Sequence, residues 1–323
     1  MVTCRRLGLI VALLVVSSAA PGLALAGARR EIVLTTFQPL YSMAWNVARD
    51  APGVEVRNLA PRALGPHDYA PWEGAARAEF ARAAGEAAAI LTLRRVSLAP
   101  RFDELYGRAR EWNIRIVEID PLQAWSTDRA ALALAWLPDK GRQAGADAAG
   151  GAPCGRDPNP HVWLSLSHAA AMTRNIARDL AALDPSGSNL YARNAERYAR
   201  LLLALRAEIE AKLAEVDVPR LISLTDAFPY LTADLGLEVA AYVDADGAGV
   251  GRIVRELAAG VVLAEEMPDE AVAAAIRSAG ARLAVLHTLE EGWGNGDTVT
   301  PEGFELGMRS NLETLLGALR PDR

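Results

Sequence analysis

The sequence predicts an α/β protein of two Rossmann-like lobes, each with a parallel sheet, joined by one long rigid helix. Three observations predict it. Short apolar runs alternate with helical patterns over residues 31–119. A single apolar stripe then steps by three and four residues over 187–216. A second block of alternating strands and helices fills 221–319. Strands separated by helices favour a parallel sheet covered by helices. The chain has 323 residues, 51% hydrophobic and 23% charged, enough for about two domains with buried cores.

In the first lobe, Glu31–Thr36 reads as a strand and Pro39–Ala48 as a helix. Val54–Leu59 is a second strand, and a Pro- and Gly-rich loop follows over 60–71. Ala88–Leu93 and Ile114–Ile119 are further strands, with a helix near Arg101–Trp112 between them. Residues 139–160 carry five Gly and three Pro among small residues and read as a mobile surface loop. A helix begins near Ser165.

The stripe of Tyr191, Ala195, Tyr198, Leu202, Leu205, Ile209, Leu213 and Val216 fits one helix face. At 1.5 Å per residue such a helix is about 45 Å long, the span of a domain. It reads as a strut between lobes or as a long packing helix. Leu221–Leu224, Glu238–Val243, Val261–Ala264 and Leu283–Leu286 are the second lobe's strands. Helices are expected from Asp226, near Arg252–Ala259, over Asp269–Ala279 and near Pro301–Leu319. The boundaries that follow are 1–26 for an export signal and 27–165 for the first lobe. A helical segment takes 166–218 and the second lobe 219–323.

The export signal is read from Arg5 and Arg6, the ten-residue apolar run Leu7–Val16, and small residues at Ala24 and Ala26. The run is too short to span a bilayer. Cys4 precedes it, where a lipid-attachment cysteine would follow, so a soluble periplasmic protein is expected. Cleavage leaves Cys154 as the single thiol, which allows no internal disulfide. With 34 basic against 40 acidic residues and no dense Lys/Arg block, nucleic-acid binding is not expected. No Gly-x-x-x-x-Gly-Lys-[Ser/Thr] loop is present, so an ATPase would be another chain.

The four histidines carry the chemistry. His67 sits between Pro66 and Pro71, past a strand; His161 follows Pro160 at a loop end; His287 directly follows a strand. Open α/β sheets hold ligands beyond the carboxyl ends of their strands, and neutral imidazole is the commonest transition-metal ligand. Each such histidine alone is more often structural than ligating, and three together point to a metal. His168 reads as a helix-surface residue and Cys154 as an incidental thiol.

Several segments resemble the zinc/manganese substrate-binding proteins of ABC transporters. They are Phe37-Gln-Pro-Leu-Tyr41, Pro66-His67-Asp68-Tyr69-Ala70-Pro71, Pro160-His161-Val162-Trp163-Leu164, Asp226-Ala-Phe-Pro-Tyr230, Ala264-Glu265 and Asn311-Leu-Glu-Thr-Leu-Leu316. The resemblance covers nearly the whole exported chain. It implies two α/β lobes with a metal between them and four ligand positions. The first two match His67 and His161. The third, usually His or Glu, is Thr225, a poor zinc ligand. The fourth, usually Asp, is His287. Three outcomes follow. In the first, His67, His161 and His287 form a three-histidine site with water or a carboxylate as fourth ligand, the candidate carboxylates being Asp226, Glu265 and Glu266. Alternatively, those carboxylates orient the imidazoles. In the third, the site has degenerated toward another ligand or a role in adhesion. Imidazole ligands favour Zn2+ over Mn2+, and Cu2+ would compete in vitro. The expected role is metal capture and delivery to a membrane permease by a monomeric chain. A three-histidine hydrolase is the enzyme rival, and neither His-Glu-x-x-His nor Gly-x-Ser-x-Gly is present to support it.

Overall fold

The computed structural model describes residues 30–59, 71–94, 99–125, 132–135, 158–244, 249–293 and 299–320. The export signal, His67, Cys154 and the Gly-rich stretch 136–157 lie outside the described residues.

The first lobe contains β1 (Glu31–Thr35), α1 (Gln38–Ala48), β2 (Val54–Asn58), α2 (Ala76–Glu86), β3 (Ala89–Leu91), α3 (Ala99–Ala109) and β4 (Val117–Ile119). The second contains β5 (Arg220–Ser223), α6 (Pro229–Asp234), β6 (Val239–Tyr242), α7 (Val250–Leu257), β7 (Ala259–Ala264), α8 (Glu270–Ser278), β8 (Arg282–Val285) and α9 (Gly303–Leu319). Helices α4 (Leu166–Leu183) and α5 (Ser188–Leu213) lie between the two sets. Each set forms a four-stranded sheet, in the orders β2-β1-β3-β4 and β6-β5-β7-β8, with every pairing parallel. The two sheets share one topology. The order in which strands are added reverses between β1 and β3 and between β5 and β7, so those strand ends are the natural ligand positions.

Local chemistry starts the helices. Pro39 and Pro229 occupy first-turn positions of α1 and α6, where a missing N–H costs nothing. Ser165 caps α4 by accepting from His168 N, and Asp269 caps α8 by accepting from Val272 N. Two expectations need adjustment, and one helix was not read. The expected strand at Ile114–Ile119 shortens to β4, because Asn113 donates to the carbonyls of Ala84 and Ala87 and holds the entry as a turn with Ile114 exposed. Helix α2, rich in alanine, carries no apolar stripe strong enough to read in the sequence. The long helix has 26 residues, about 39 Å. It packs along its length against α4, joined by the short turn at 184–187, so the connector is a helical hairpin.

A continuous apolar cluster runs from Val33 and Phe37 through Trp163 and Leu202 to Leu263 and Phe304, uniting both lobes. The lobes are also bound by polar contacts. The buried Gln38 of α1 donates from Nε2 to Thr300 O at 2.7 Å and accepts from Thr300 N at 3.1 Å. A side chain at Gly303 would collide with this Gln38 amide, so the glycine permits the approach. Among the described residues no helix is long and apolar enough to cross a membrane.

One buried charge is a liability. Asp179 of α4 is almost fully buried; Oδ1 accepts from Trp125 N at 2.9 Å, and Oδ2 has no hydrogen-bond partner among the described residues. Burial pushes its carboxyl up to about 6, against the smaller pull of the Trp125 amide and of Arg178. The folded chain therefore holds this proton more tightly than the unfolded chain. Stability falls as pH rises from the ordinary carboxylate value through about 6, and stays lower above it. Asp179→Asn is expected to gain about 1–3 kcal/mol at pH 8 and little near pH 4. Thermal melting of both proteins at the two pH values checks this, and equal gains at both would reject it.

Candidate metal centre

The site is built from one first-lobe segment and three strand ends of the second lobe. In the first lobe, residues 158–165 lead into α4. Asn159 is fully buried; its Nδ2 donates to Asp226 O at 2.6 Å, and its Oδ1 accepts from His161 N at 2.9 Å. That oxygen also lies 3.2 Å from His161 Nδ1. With Nδ2 of Asn159 committed to Asp226, its Oδ1 faces the ring as an acceptor, which orients Nδ1 as a donor and turns Nε2 toward the second lobe. An outer partner that fixes the tautomer in this way is what a ligating imidazole needs. His161 is only 7% exposed, and Trp163, two residues on, packs edge-on against it with ring centroids 5.4 Å apart.

Opposite lies the loop that follows β8. Asn311 of α9 fixes its start: Oδ1 accepts from His287 N at 2.8 Å and Nδ2 donates to His287 O at 2.7 Å. Trp163 Nε1 donates to Thr288 O at 2.8 Å and so ties the first-lobe segment to this loop. Leu289 has φ +64°, a left-handed conformation uncommon outside glycine. Its side chain is buried against Gly307 of α9, where a Cβ would come within 2.3 Å of it. This turn carries Glu290 into the interior. Glu290 Oε1 lies 3.3 Å from His161 Nε2, with side-chain exposures of 6% and 9%.

The ends of β5 and β7 complete the surroundings. Thr225 Oγ1 donates to Glu265 Oε2 at 3.3 Å and accepts from Ala227 N at 3.1 Å. Burial, reinforced by Glu290, holds the Glu265 carboxyl above the usual range, while His161 and the Thr225 and Thr288 hydroxyls pull it down. The structure thus pairs His161 with Glu290 at 3.3 Å and leaves Glu265, exposed at the end of β7, within electrostatic range of both.

The other candidates fall elsewhere. His287 is exposed, and its ring packs edge-on against Trp293 at 5.2 Å. The Asp226 backbone carbonyl serves Asn159, and its charge helps push the Tyr242 hydroxyl, first raised by burial, to about 12. Glu266 is exposed. Among the described residues, no hydrogen bond or ion pair joins the side chains of His287, Asp226 or Glu266 to His161, and no three His, Cys, Asp or Glu side chains meet as a metal cage. His67, outside the described residues, belongs to neither list. His168 is structural: Nδ1 faces Ser165 Oγ at 2.9 Å, Nε2 faces Ala133 O at 2.9 Å, and the ring packs on Tyr230. Sequence reasoning missed Glu290. Its only signal was the acidic pair Glu290-Glu291 just beyond the last strand, and the bend at Leu289 that aims it leaves no residue signature.

Two parallel-sheet lobes of one topology, joined by a helical hairpin and meeting at a buried histidine–carboxylate pair, define a two-lobe solute-binding architecture. The chain belongs to the family of zinc-uptake complex component A, periplasmic (ZnuA), whose pattern matches residues 33–318. It is a family of transport binding proteins rather than enzymes. The chain is 24% identical over 293 residues to the zinc-binding lipoprotein AdcA of Streptococcus pneumoniae, covering 88% of this chain and 54% of that protein. It is 32% identical over 108 residues to the high-affinity zinc uptake system protein ZnuA of Paracoccus denitrificans, covering 33% of each. The matched stretches span about a third to a half of the curated relatives' lengths. Among solved structures, the chain is similar to the SBP FpvC of Pseudomonas aeruginosa in complex with Mn2+, with a TM-score of 0.65 and 25% identity, covering 90% of this chain and 98% of that one. An FpvC mutant gives a TM-score of 0.70, also at 25% identity, over 89% and 98%.

Proposed function

We propose that this chain captures a divalent transition metal in the cleft between its lobes, zinc first among them, and hands it to the membrane permease of an ABC importer in the periplasm. One observation carries the reading: the buried His161 imidazole of the first lobe stands 3.3 Å, Nε2 to Oε1, from the buried Glu290 carboxylate of the second, a histidine–carboxylate pairing of the kind that holds divalent transition metals. The relatives support the class of ligand: AdcA and ZnuA are named for zinc, and FpvC is seen with Mn2+ and Ni2+. His161 anchors the ion. His67 and His287 are the further imidazoles the family resemblance offers, and Asp226, Glu265 and Glu266 the carboxylates.

Release follows from the same geometry. The shared apolar core and the Gln38–Thr300 clasp oppose a wide swing of the lobes. Displacing the 287–290 loop by a small distance separates its carboxylate from His161 and opens the site. The test of the function is a competition titration of the metal-stripped chain against a chromophoric zinc chelator. One zinc per chain, bound tightly enough to compete with the chelator, is expected. Absence of binding overturns the proposal.

A further inference from the structure

We propose that the first lobe carries a second ligand site, a pocket at the outer edge of its sheet that takes one ring of a neutral sugar. This site is separate from metal capture and does not depend on it.

The pocket lies where β3 and β4 end, at the carboxyl edge that open α/β sheets use for ligands. Arg94 comes just after β3, Glu118 belongs to β4, and Asp120, Gln123 and Trp125 follow it. The enclosed volume is about 550 Å³, within the range of small-molecule sites. None of these residues belongs to the His161–Glu290 pairing.

Trp125 forms the apolar wall. It is 40% exposed, and among the described residues no other aromatic side chain stands so far out of the core. Yet it is tied at two points. Its backbone N–H donates to Asp179 Oδ1 at 2.9 Å, and its indole N–H donates to Glu118 O at 2.6 Å. An indole fixed in this way offers apolar area to a ligand with little ordering left to do.

The polar rim is equally fixed. Glu118 Oε1 accepts from Thr92 Oγ1 at 2.7 Å, and Oε2 accepts from Arg94 Nη1 at 3.3 Å. These bonds orient the carboxylate and leave it capacity to accept more. Asp120 Oδ1 accepts from Leu122 N at 3.0 Å, which holds the turn after β4.

Charge then selects the class of ligand. An anion drawn to Arg94 meets Glu118 and Asp120, and a cation drawn to the two acids meets Arg94. A neutral ring bearing hydroxyls avoids both conflicts. Each hydroxyl donates to a carboxylate or accepts from Arg94 or Gln123. The C–H face of the same ring packs against the Trp125 indole.

The test titrates the full chain with glucose, galactose, N-acetylglucosamine, maltose and cellobiose, read by saturation-transfer NMR and calorimetry. The parent is expected to bind at least one of them. Its affinity should change less than about twofold between low salt and about 0.5 M salt, because the ligand carries no charge to screen. Trp125→Ala is expected to weaken that sugar by more than about tenfold. Arg94→Ala, at an exposed side chain, is expected to cost about threefold or more. Circular dichroism of both variants should match the parent, and so should their response to zinc, because neither residue touches the cleft pair. Should Trp125→Ala fold poorly, Trp125→Phe keeps a ring, drops the bond to Glu118 O, and is expected to lose a smaller share of the affinity. A parent that binds none of the five sugars overturns the proposal. So does sugar binding that both folded variants retain within about twofold, or tighter binding of free amino acids or of spermidine than of any sugar.

Discussion

His161→Ala is expected to abolish competitive zinc binding, with affinity falling by more than about 100-fold, while the fold survives. The loss is expected to be large because His161 is the proposed anchor: its Nε2 stands 3.3 Å from Glu290 Oε1 of the second lobe, while Asn159 orients the ring from Nδ1 and is itself engaged with Asp226 and the His161 backbone. The fold should survive because Trp163, Leu164 and Val162 supply the segment's core packing, while the imidazole touches mainly Trp163 and Glu290. Zinc competition titration beside far-ultraviolet circular dichroism checks both halves. Retained affinity in a folded His161→Ala protein would place the ion elsewhere.

Trp163→Ala is expected to cost about 3–5 kcal/mol and to weaken metal binding as well. Trp163 is fully buried, packs edge-on against Phe37 at 5.1 Å and against His161 at 5.4 Å, and donates its indole N–H to Thr288 O across the lobes. Truncation opens a cavity in the shared core, and it frees the loop that aims Glu290. A fall in melting temperature of about 10 °C is expected, with at least a tenfold loss of zinc affinity. Trp163→Phe separates the two effects, since it keeps most of the packing and removes only the bond to Thr288, worth about 1 kcal/mol. Unchanged metal affinity in Trp163→Ala would show that the loop holds its shape without this tie.

Where local chemistry decides an element, the sequence shows it. Pro39, Pro229, Ser165 and Asp269 mark helix starts that the structure places within a few residues of the reading, and the stripe from Tyr191 to Leu213 is the buried face of α5. Alternation alone yields two parallel sheets, because each buried strand reads as an apolar run and each crossover as a helix. Helix α2 escaped because alanines are good helix formers without making an apolar stripe. The pairing of α4 with α5 escaped because a helix does not declare what it packs against.

At the candidate site, His161 is legible as a Pro-flanked residue at a loop end, and the structure adds its pairing with Glu290. Glu290 itself is not legible, because its position depends on a left-handed turn imposed by Asn311, Trp163 and Gly307, residues far apart in the chain. His287 is marked by the sequence for a local reason. It occupies the first position after β8, and only the tertiary packing on Trp293 shows where its ring rests.

The most direct measurement is anomalous diffraction at the zinc edge from crystals of the metal-loaded protein. One anomalous peak within about 2.0–2.2 Å of both His161 Nε2 and Glu290 Oε1 is the predicted result. A zinc ion bound away from His161, or no ordered zinc in crystals grown from protein that binds it in solution, would contradict the cleft site.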